Sequence, residues 1–400
     1  MSQLARKSMD AIFSDRIHDV PRSFIREILK ASLDAEMISF AGGLPNRKFF
    51  PVDELREATE RVFEIHGTSC LQYSNSEGLI ELRRYISERY KQKQGINIDP
   101  DHILITNGSQ QALDLIAKVM INDGDQVIIE EPGYLGAIQA LSLYKPRYLP
   151  VKVSDHGMDI EALETCLKQN QPKLMYTVPN FQNPAGISYS NENRAELARV
   201  VNTKHLLVIE DDPYGDLRFR GERLTSFYEM IPEHTILLGS FSKTVVPGFR
   251  LGWVAAPDRI MEKLLIAKQA SDLHTSNFTQ YIIYEFLKSI ELDHHIELIT
   301  KAYGNQCRAM LEAIDEFFPK EVVCTRPDGG MFLWGKLPEG ARSMNLFERA
   351  IDKKVIFVPG EPFYTVEKES SSFRLNFSCV EEELGREGIY RLAGAINEIL

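Results

Sequence analysis

The chain has 400 residues, of which 44% are hydrophobic and 26% charged, and its formal net charge is −11. This length accommodates two domains and a large core, and the composition is that of an ordinary soluble globular protein. The acidic balance argues against nucleic acid or an anionic membrane surface as a partner. Neither a secretory signal nor an apolar run of transmembrane length is apparent, and the five scattered cysteines lack zinc-ligand spacing. We therefore expect a cytoplasmic protein with reduced thiols and without a bound metal.

Short apolar runs alternate with longer amphipathic runs along most of the chain. A helix is predicted over residues 21–34, and an irregular segment rich in Gly and Pro follows at residues 42–51. Strands are then predicted at residues 102–106, 125–131, 146–153, 173–179, 205–212, 235–240 and 251–257, with helical patterns such as SQQALDLIAKVMI between most of them. Near-continuous apolar strands alternating with helices predict an α/β fold, with a mostly parallel central sheet covered by helices on both faces.

The pattern changes over the last hundred residues. A long helix around residues 293–318 precedes a mixture of strands and helices that is typical of a smaller α+β domain. We therefore divide the chain into an N-terminal arm and helix packing with the small domain (residues 1–52), a large domain (53–295) and a small C-terminal domain (296–400).

Polar residues follow several of the predicted strands, where ligands bind in open α/β sheets. Gly108 and Ser109 open a helix whose first N–H groups could bind phosphate, although this feature alone favours Ser109 as a plain helix cap. Tyr134 follows the next strand and could be a core residue, and Asn183 before Pro184 could be an ordinary turn. Consecutive acids, Asp211 and Asp212, end another strand. They could cap the following turn, but a carboxylate buried there needs a cation.

The stretch GSFSKTVVPGFRLGW at residues 239–253 adds Ser240, Ser242, Lys243 and Arg250 at the end of a sixth strand. Together these residues supply a phosphate site, an aromatic ring to stack on a flat ring, partners for a ring hydroxyl, a carboxylate for a ring nitrogen, and an amine. Ser109, Gln110, Ser240 and Arg250 would form the phosphate site, and Tyr134 is the aromatic ring. Asn183 and Tyr214 would contact the ring hydroxyl. Asp211 is the carboxylate and Lys243 the amine. This set describes pyridoxal 5′-phosphate (PLP) held as a Schiff base.

The sequence resembles the fold-type-I, class I/II PLP-dependent aminotransferases, and most of all their 2-aminoadipate and kynurenine branch. The resemblance runs from about Arg22 to the C-terminus and rests on the combination of NGSQQAL, QNPAG, EDDPYG, SFSK with PGFRLGW, AGGLP, LQYSNSEG and RPDGGMFLW. It implies that Lys243 is the Schiff-base lysine, that Asp211 binds the pyridine nitrogen and that Tyr214 takes part in catalysis. The cofactor-binding residues that it implies are Tyr73, Gly108, Ser109, Gln110, Tyr134, Asn183, Asp211, Tyr214, Ser240, Ser242, Lys243 and Arg250.

By the same resemblance, Tyr73 reaches the phosphate of a neighbouring subunit, which implies a homodimer with shared active sites. Arg374 would clamp the substrate carboxylate, as a bidentate arginine does well, although by itself it could be a solvated charge on an edge strand. Arg22 and Arg26 lie on one helix face, and Arg26 would read a distal carboxylate of the substrate, unless it is a plain surface arginine. The implied substrate-binding residues are Ser23, Arg26, Gly43, Leu44, Tyr73, Asn183, Met331, Phe332 and Arg374.

The implied activity is transfer of the α-amino group of an L-amino acid to a 2-oxo acid such as 2-oxoglutarate, by ping-pong kinetics through pyridoxamine phosphate. Aminoadipate, glutamate, aromatic, branched-chain and kynurenine-type donors all remain open. Two alternatives are another PLP reaction, such as a β-lyase or decarboxylase, and an effector-binding domain of a transcriptional regulator. A nicotinamide-binding protein is disfavoured, since no G-x-G-x-x-G follows the first strand.

Overall fold

The structure is a computed structural model that describes residues 12–18, 28, 36–366 and 369–400. Of the helix predicted over residues 21–34, only Ile28 lies within the described residues, and its side chain is buried. In the part of the chain that is described, no helix has both the length and the apolar character needed to cross a membrane.

Fourteen strands form three sheets in the described residues. The strands are β1 (Ile38–Ser39), β2 (Ile103–Thr106), β3 (Gln126–Glu131), β4 (Arg147–Ser154), β5 (Gly157–Met158), β6 (Leu174–Thr177), β7 (Leu207–Asp211), β8 (Thr235–Ser240), β9 (Gly252–Ala255), β10 (Val323–Cys324), β11 (Phe332–Lys336), β12 (Val355–Ile356), β13 (Val358–Pro359) and β14 (Ser372–Asn376). The seven strands predicted in the large domain are therefore confirmed as β2, β3, β4, β6, β7, β8 and β9.

The α-helices are α1 (Asp15–His18), α2 (Val52–His66), α3 (Ile80–Gln94), α4 (Ser109–Met120), α5 (Leu135–Ser142), α6 (Ile160–Gln169), α7 (Asn191–Lys204), α8 (Phe227–Met230), α9 (Asp258–Asp272), α10 (Asn277–Ser289), α11 (Leu292–Phe317), α12 (Ser343–Asp352) and α13 (Glu382–Asn397). Most of the long ones carry an apolar stripe. In α4, for example, the buried residues include Ala112, Leu113, Leu115 and Ile116.

The large sheet has eight strands in the order β2-β9-β8-β7-β6-β3-β4-β5. The pairs β8-β7, β7-β6, β6-β3 and β3-β4 are parallel, whereas β9 runs antiparallel to both of its neighbours and β5 is antiparallel to β4. The prediction of a mostly parallel sheet is thus confirmed, with β9 as the inner exception.

Both faces of this sheet are covered. Successive residues of one strand enter different apolar clusters: Val208 packs with α6 and α7, and Ile209 packs with α4 and α5 on the other face. Every residue of β6 and β8 is buried. Because strands buried on both sides lack polar residues that face water, they read in the sequence as nearly continuous apolar runs.

The C-terminal region forms the separate small domain. Its sheet is antiparallel in the order β10-β11-β14-β13, and α11 packs against α13 beside it. Strand β1 of the N-terminal arm pairs with β12, which ties the arm to this domain. The boundaries at residues 52 and 295 stay a prediction.

Candidate active site

The candidate site lies along the carboxyl ends of the parallel strands. Asp211 and Ser240 are the last residues of the adjacent strands β7 and β8, and the loop after β6 carries Asn183. Gly108, Ser109 and Gln110 follow β2, Tyr134 follows β3, and Ser242, Lys243 and Arg250 follow β8 in the same sheet, as expected for a ligand site in an open α/β fold.

Asp211 is 1% exposed and has no cationic partner within ion-pair distance among the described residues. Its Oδ2 accepts a hydrogen bond of 2.7 Å from the hydroxyl of Tyr176, while its buried Oδ1 has no partner. Burial raises the pKa of Asp211 to about 7, against the opposite effect of the Tyr176 hydrogen bond. A buried carboxylate oxygen left free in this way is suited to accept a hydrogen bond from a ligand.

Asp212 behaves differently from its neighbour. Its Oδ1 accepts a hydrogen bond of 2.9 Å from the backbone N–H of Gly215, so that Asp212 caps the turn after β7. The turn-capping explanation therefore applies to Asp212 and not to Asp211.

The loop between β2 and α4 has the geometry of an anion site. Gly108 is the N-cap residue, with φ at 76°, and no side chain caps the helix, so Ser109 is not the cap that the alternative assumed. The positive φ is what favours glycine here, and a Cβ at position 108 would in addition lie 2.5 Å from Nη2 of Arg250. Free N–H groups at a helix start beside a guanidinium favour a phosphate.

The serines of the SFSK stretch hold this region together. Ser240 Oγ accepts a hydrogen bond from the backbone N–H of Ser242, at 3.0 Å. Arg250 donates weakly to Ser242 Oγ at 3.4 Å, and its own φ of 53° is unusual for a residue with a side chain. On the other side, Gln110 donates to the backbone oxygen of Gly136 at 2.8 Å, which joins α4 to the start of α5.

Lys243 is half-buried, and its ammonium donates to the backbone oxygen of Gly43 at 2.7 Å. It lies 5.9 Å from the centre of the Tyr214 ring. Burial is the main cause that lowers the pKa of Lys243 to about 8, and the positive charges of Arg374 and Arg250 act in the same direction. An amine with a lowered pKa is available as a nucleophile and as a base.

Arg374 lies on β14, an inner strand of the small sheet, and is 2% exposed. The alternative of a solvated charge on an edge strand is therefore excluded. Its Nη1 donates to Asn183 Oδ1 at 2.8 Å and its Nη2 to the backbone oxygen of Ala41 at 2.7 Å, while the buried Nε has no partner. Burial lowers its pKa to about 10, so the side chain stays charged at neutral pH. A buried cation without a carboxylate partner favours an anionic ligand.

Aromatic side chains surround these polar groups. The guanidinium carbon of Arg374 lies 4.3 Å from the ring centre of Phe332, and that ring lies edge-on to Tyr214 at 5.9 Å. The Tyr214 hydroxyl accepts a hydrogen bond from Asn183 Nδ2 at 3.2 Å. Tyr134 is half-buried at the start of α5, and burial raises its pKa to about 12.

The remaining predicted residues differ in exposure. Phe332 lies against Gly43, where an added Cβ would be 3.2 Å from the ring. Met331 is completely buried, whereas Leu44 is 47% exposed. Ser23, Arg26 and Arg22 lie outside the described residues.

Tyr73 lies apart from the other groups within this single chain. It is 77% exposed, its ring is edge-on to His274 at 5.8 Å, and no hydrogen bond within the described residues joins it to the other site residues.

Two residues that contact the site were not predicted from the sequence, Tyr176 and Ala41. Tyr176, which binds Asp211, pairs with Ile209 in the sheet, so Tyr176 and Asp211 share one face by the two-residue alternation of strands. Once the order of β6 and β7 is known, the same alternation identifies Tyr176. Ala41 contributes only a backbone oxygen to Arg374, and no sequence signal reports such a contact.

The donor set fits PLP. The free Oδ1 of Asp211 suits a protonated ring nitrogen, the start of α4 with Arg250 suits a phosphate, and Lys243 supplies an amine. The free Nε of Arg374 suits a carboxylate.

Comparison with known proteins agrees with this chemistry. The family model of aminotransferase class I and II matches residues 36–392. The aromatic-amino-acid aminotransferase 1 of Thermococcus litoralis is 41% identical, over 96% of this chain and 94% of the relative. The 2-aminoadipate transaminase of Thermus thermophilus is 40% identical, over 95% of both chains. The crystal structure of the kynurenine aminotransferase of Pyrococcus horikoshii, solved with PMP, superposes with a TM-score of 0.95 at 40% identity and covers 99% of each chain. The chain therefore belongs to the class I and II aminotransferases and is a PLP-dependent enzyme of that family.

Proposed function

We propose that the protein transfers the α-amino group of an aromatic or acidic L-amino acid to a 2-oxo acid such as 2-oxoglutarate, and that the residues described above perform the reaction. The observation that carries the proposal is a connected set of contacts around Tyr214. Arg374 donates to Asn183, Asn183 donates to the Tyr214 hydroxyl, and the Lys243 amine lies 5.9 Å from the Tyr214 ring. Asp211, with its free Oδ1, ends the strand just before Tyr214.

The large domain holds the cofactor in this proposal. Asp211 Oδ1 binds the pyridine nitrogen, and the side chains of Asn183 and Tyr214, already in contact, bind the ring hydroxyl. Tyr134 would hold the face of the ring. The phosphate is bound by Gly108, Ser109, Gln110, Ser240 and Arg250, with Ser242 supporting Ser240 and Arg250.

PLP, when bound, supplies an electron sink that stabilises negative charge at the substrate α-carbon. Lys243 performs the proton transfer: its Nζ accepts the α-proton and returns a proton during the reaction. Its low pKa, caused mainly by burial, keeps a useful fraction of the amine neutral near pH 8. Asp211 holds the ring nitrogen protonated, which requires that its carboxylate be ionised in the loaded enzyme.

Arg374 binds the α-carboxylate of the substrate. Its contacts with Asn183 and Ala41 fix the guanidinium plane, and its Nε remains available for the ligand. Because the large domain, the N-terminal arm and the small domain each contribute to this clamp, substrate binding is linked to how the arm and the domains pack.

The substrate class is proposed from two of the relatives, which are named for aromatic amino acids and for 2-aminoadipate. We propose that Arg26 and Ser23, in the helix predicted from the sequence, recognise the distal group of the substrate. The test is a panel of amino donors with 2-oxoglutarate, in which one 2-oxo acid forms for each glutamate. Release of ammonia without an acceptor would contradict transamination. Arg26→Ala should lower activity with acidic donors more than with aromatic ones, and Arg22→Ala is compared with it to show which of the two arginines reads the substrate.

We also propose that the enzyme is a homodimer in the cytoplasm, with substrates that are small molecules and with neither nucleic acid nor membrane as a partner. The exposure of Tyr73 supports the dimer, because an aromatic side chain that is 77% exposed is suited to a contact with a second chain. The five free cysteines support a reducing compartment. Sedimentation equilibrium tests the dimer.

A further inference from the structure

A second buried lysine lies behind the loop that opens α4. Lys268, on α9, has a side chain that is 0% exposed. Its ammonium donates to Gln111 Oε1 at 2.8 Å, to Asp272 Oδ2 at 2.9 Å and to Thr275 Oγ1 at 2.9 Å. All three N–H donors are therefore used, and Lys268 has no part in the transamination chemistry proposed above.

The partners of Lys268 connect it to residues 107–111, which form the turn after β2 and the first residues of α4. Gln111 Oε1 also accepts from the backbone N–H of Asn107 at 2.8 Å, and Gln111 Nε2 donates to Asp272 Oδ2 at 2.7 Å. The Asn107 side chain donates to the same carboxylate oxygen at 2.6 Å. We call Lys268, Asp272, Gln111, Asn107 and Thr275 the Lys268 cluster.

The cluster is anchored to the sheet and reaches the face of the loop that would bind phosphate. Thr275 Oγ1 donates to the backbone oxygen of Ile105 in β2, at 3.2 Å. On the opposite side, the backbone oxygen of Asn107 accepts a long hydrogen bond of 3.5 Å from Arg250. Gly108, with its positive φ, is the next residue. The cluster thus fixes both ends of the turn that presents the N–H groups of α4.

An ion pair with a fully buried ammonium and a partly buried carboxylate is a poor way to gain stability, because taking charges out of water is unfavourable. Apolar side chains of similar volume at both position 268 and position 272 would fill the same space without this cost. A fully bonded lysine instead specifies one arrangement of its partners, and here those partners are the residues that shape the turn.

We propose that Lys268 is a positioning residue for the cofactor phosphate, acting through Gln111 and Asn107 on the turn that opens α4. The inference rests on the proposed role of residues 108–110 as the phosphate site. It predicts that loss of Lys268 lowers the affinity for ligands that carry the phosphate and leaves the affinity for ligands without a phosphate almost unchanged. A lysine that only stabilised the fold would not make this distinction.

The experiment titrates cofactor-stripped protein with PLP and, separately, with pyridoxal, which has the ring and the aldehyde but no phosphate. Dissociation constants are read from the absorbance of the bound ring in buffer free of phosphate. Lys268→Met should raise the dissociation constant of PLP about tenfold, the value of one charge-assisted contact. That of pyridoxal should change less than twofold. Lys263→Met is the matched control, since Lys263 is exposed on the same helix, and it should change neither constant.

The double variant Lys268→Met/Asp272→Asn tests whether positioning or charge is responsible. Lys268→Met leaves the Asp272 carboxylate without its cation, and that negative charge alone could repel a phosphate. The double variant buries no unpaired charge, so it is also the safer variant to fold. It should still bind PLP several times more weakly than the parent. Recovery of the parental affinity, or an equal loss for PLP and pyridoxal in either variant, would overturn the proposal. Failure of the unsubstituted protein to bind PLP would instead overturn the proposed phosphate site.

Discussion

Asp211→Asn is expected to increase the stability of the cofactor-stripped protein while it decreases the affinity for PLP. The stripped protein retains a carboxyl group that is 1% exposed and whose Oδ1 has no donor. Asparagine has nearly the same shape, can still accept the hydrogen bond from Tyr176, and never ionises. The substitution therefore removes the cost of a buried negative charge and, with it, the partner of the ring nitrogen.

The size of the effect follows from the pKa of Asp211, which burial raises from 3.8 to about 7. Because the pKa is higher in the folded state, the carboxyl group favours folding at low pH, and this contribution is lost as the pH rises from about 4 to about 7. At about 1.4 kcal/mol for each pH unit, the full loss is about 4 kcal/mol, of which about 3 kcal/mol falls above pH 5. The variant lacks this loss.

The assay is urea unfolding of both stripped proteins at several pH values between 5 and 8.5, because the difference between them isolates the one carboxyl group. The difference in the free energy of unfolding should increase in favour of Asp211→Asn up to about pH 7 and then stay constant. Asp53→Asn, at an aspartate whose side chain is 80% exposed, serves as the control for the change of residue type. A difference that does not change with pH would refute the raised pKa, and unchanged affinity for PLP would refute the contact with the ring nitrogen.

Three further variants test the remaining groups. Lys243→Ala should abolish both turnover and the visible absorbance of the bound cofactor without changing the circular dichroism, and normal turnover would show that another group does the chemistry. Arg374→Lys keeps the charge but loses the planar fork that binds Asn183 and Ala41. It should lower kcat/KM for amino acids about 100-fold and leave the absorbance of bound PLP intact, since two charge-assisted hydrogen bonds are affected. Amines without a carboxylate should be much less affected, and an equal loss would exclude the clamp. Tyr73→Phe should lower the affinity for PLP severalfold. A mixed dimer of one Tyr73→Phe subunit and one Lys243→Ala subunit should regain one site that has both the native Tyr73 and the native Lys243. Mixed dimers in which no site has native cofactor affinity would place Tyr73 in the site of its own subunit.

The sequence was sufficient for the sheet and for the residues that follow its strands. Asp211, Ser240 and Asn183 could be found because a strand buried on both faces leaves a long apolar run, and the polar residues at its end stand out. The resemblance of the surrounding motifs to those of a known family then suggested a chemical role for each of these residues. The comparison of Asp211 with Asp212, by contrast, needed the structure, since only the structure gives the hydrogen bond from Gly215 to Asp212.

Contacts between distant segments could not be predicted. Tyr176 becomes a partner of Asp211 only through the register between β6 and β7, and Lys268 contacts Gln111 across 157 positions of sequence. A lysine in an amphipathic helix is most often a surface residue, so nothing in α9 distinguishes Lys268 from Lys263 before packing is known. The contact of Arg374 with Ala41 in the arm could not be predicted either, because these two residues also lie far apart in the sequence.

The Arg374 contact with Ala41 has a consequence for how this enzyme can evolve. The residues proposed for the cofactor lie, apart from Tyr73, between positions 108 and 250, whereas the substrate clamp joins position 374 to the arm at position 41. The α-carboxylate that this clamp would bind is common to all amino-acid substrates, so substitutions in the arm beside Ala41 would change how tightly substrates are held rather than which one is chosen. The affinity for substrates and the affinity for the cofactor can therefore change separately during evolution.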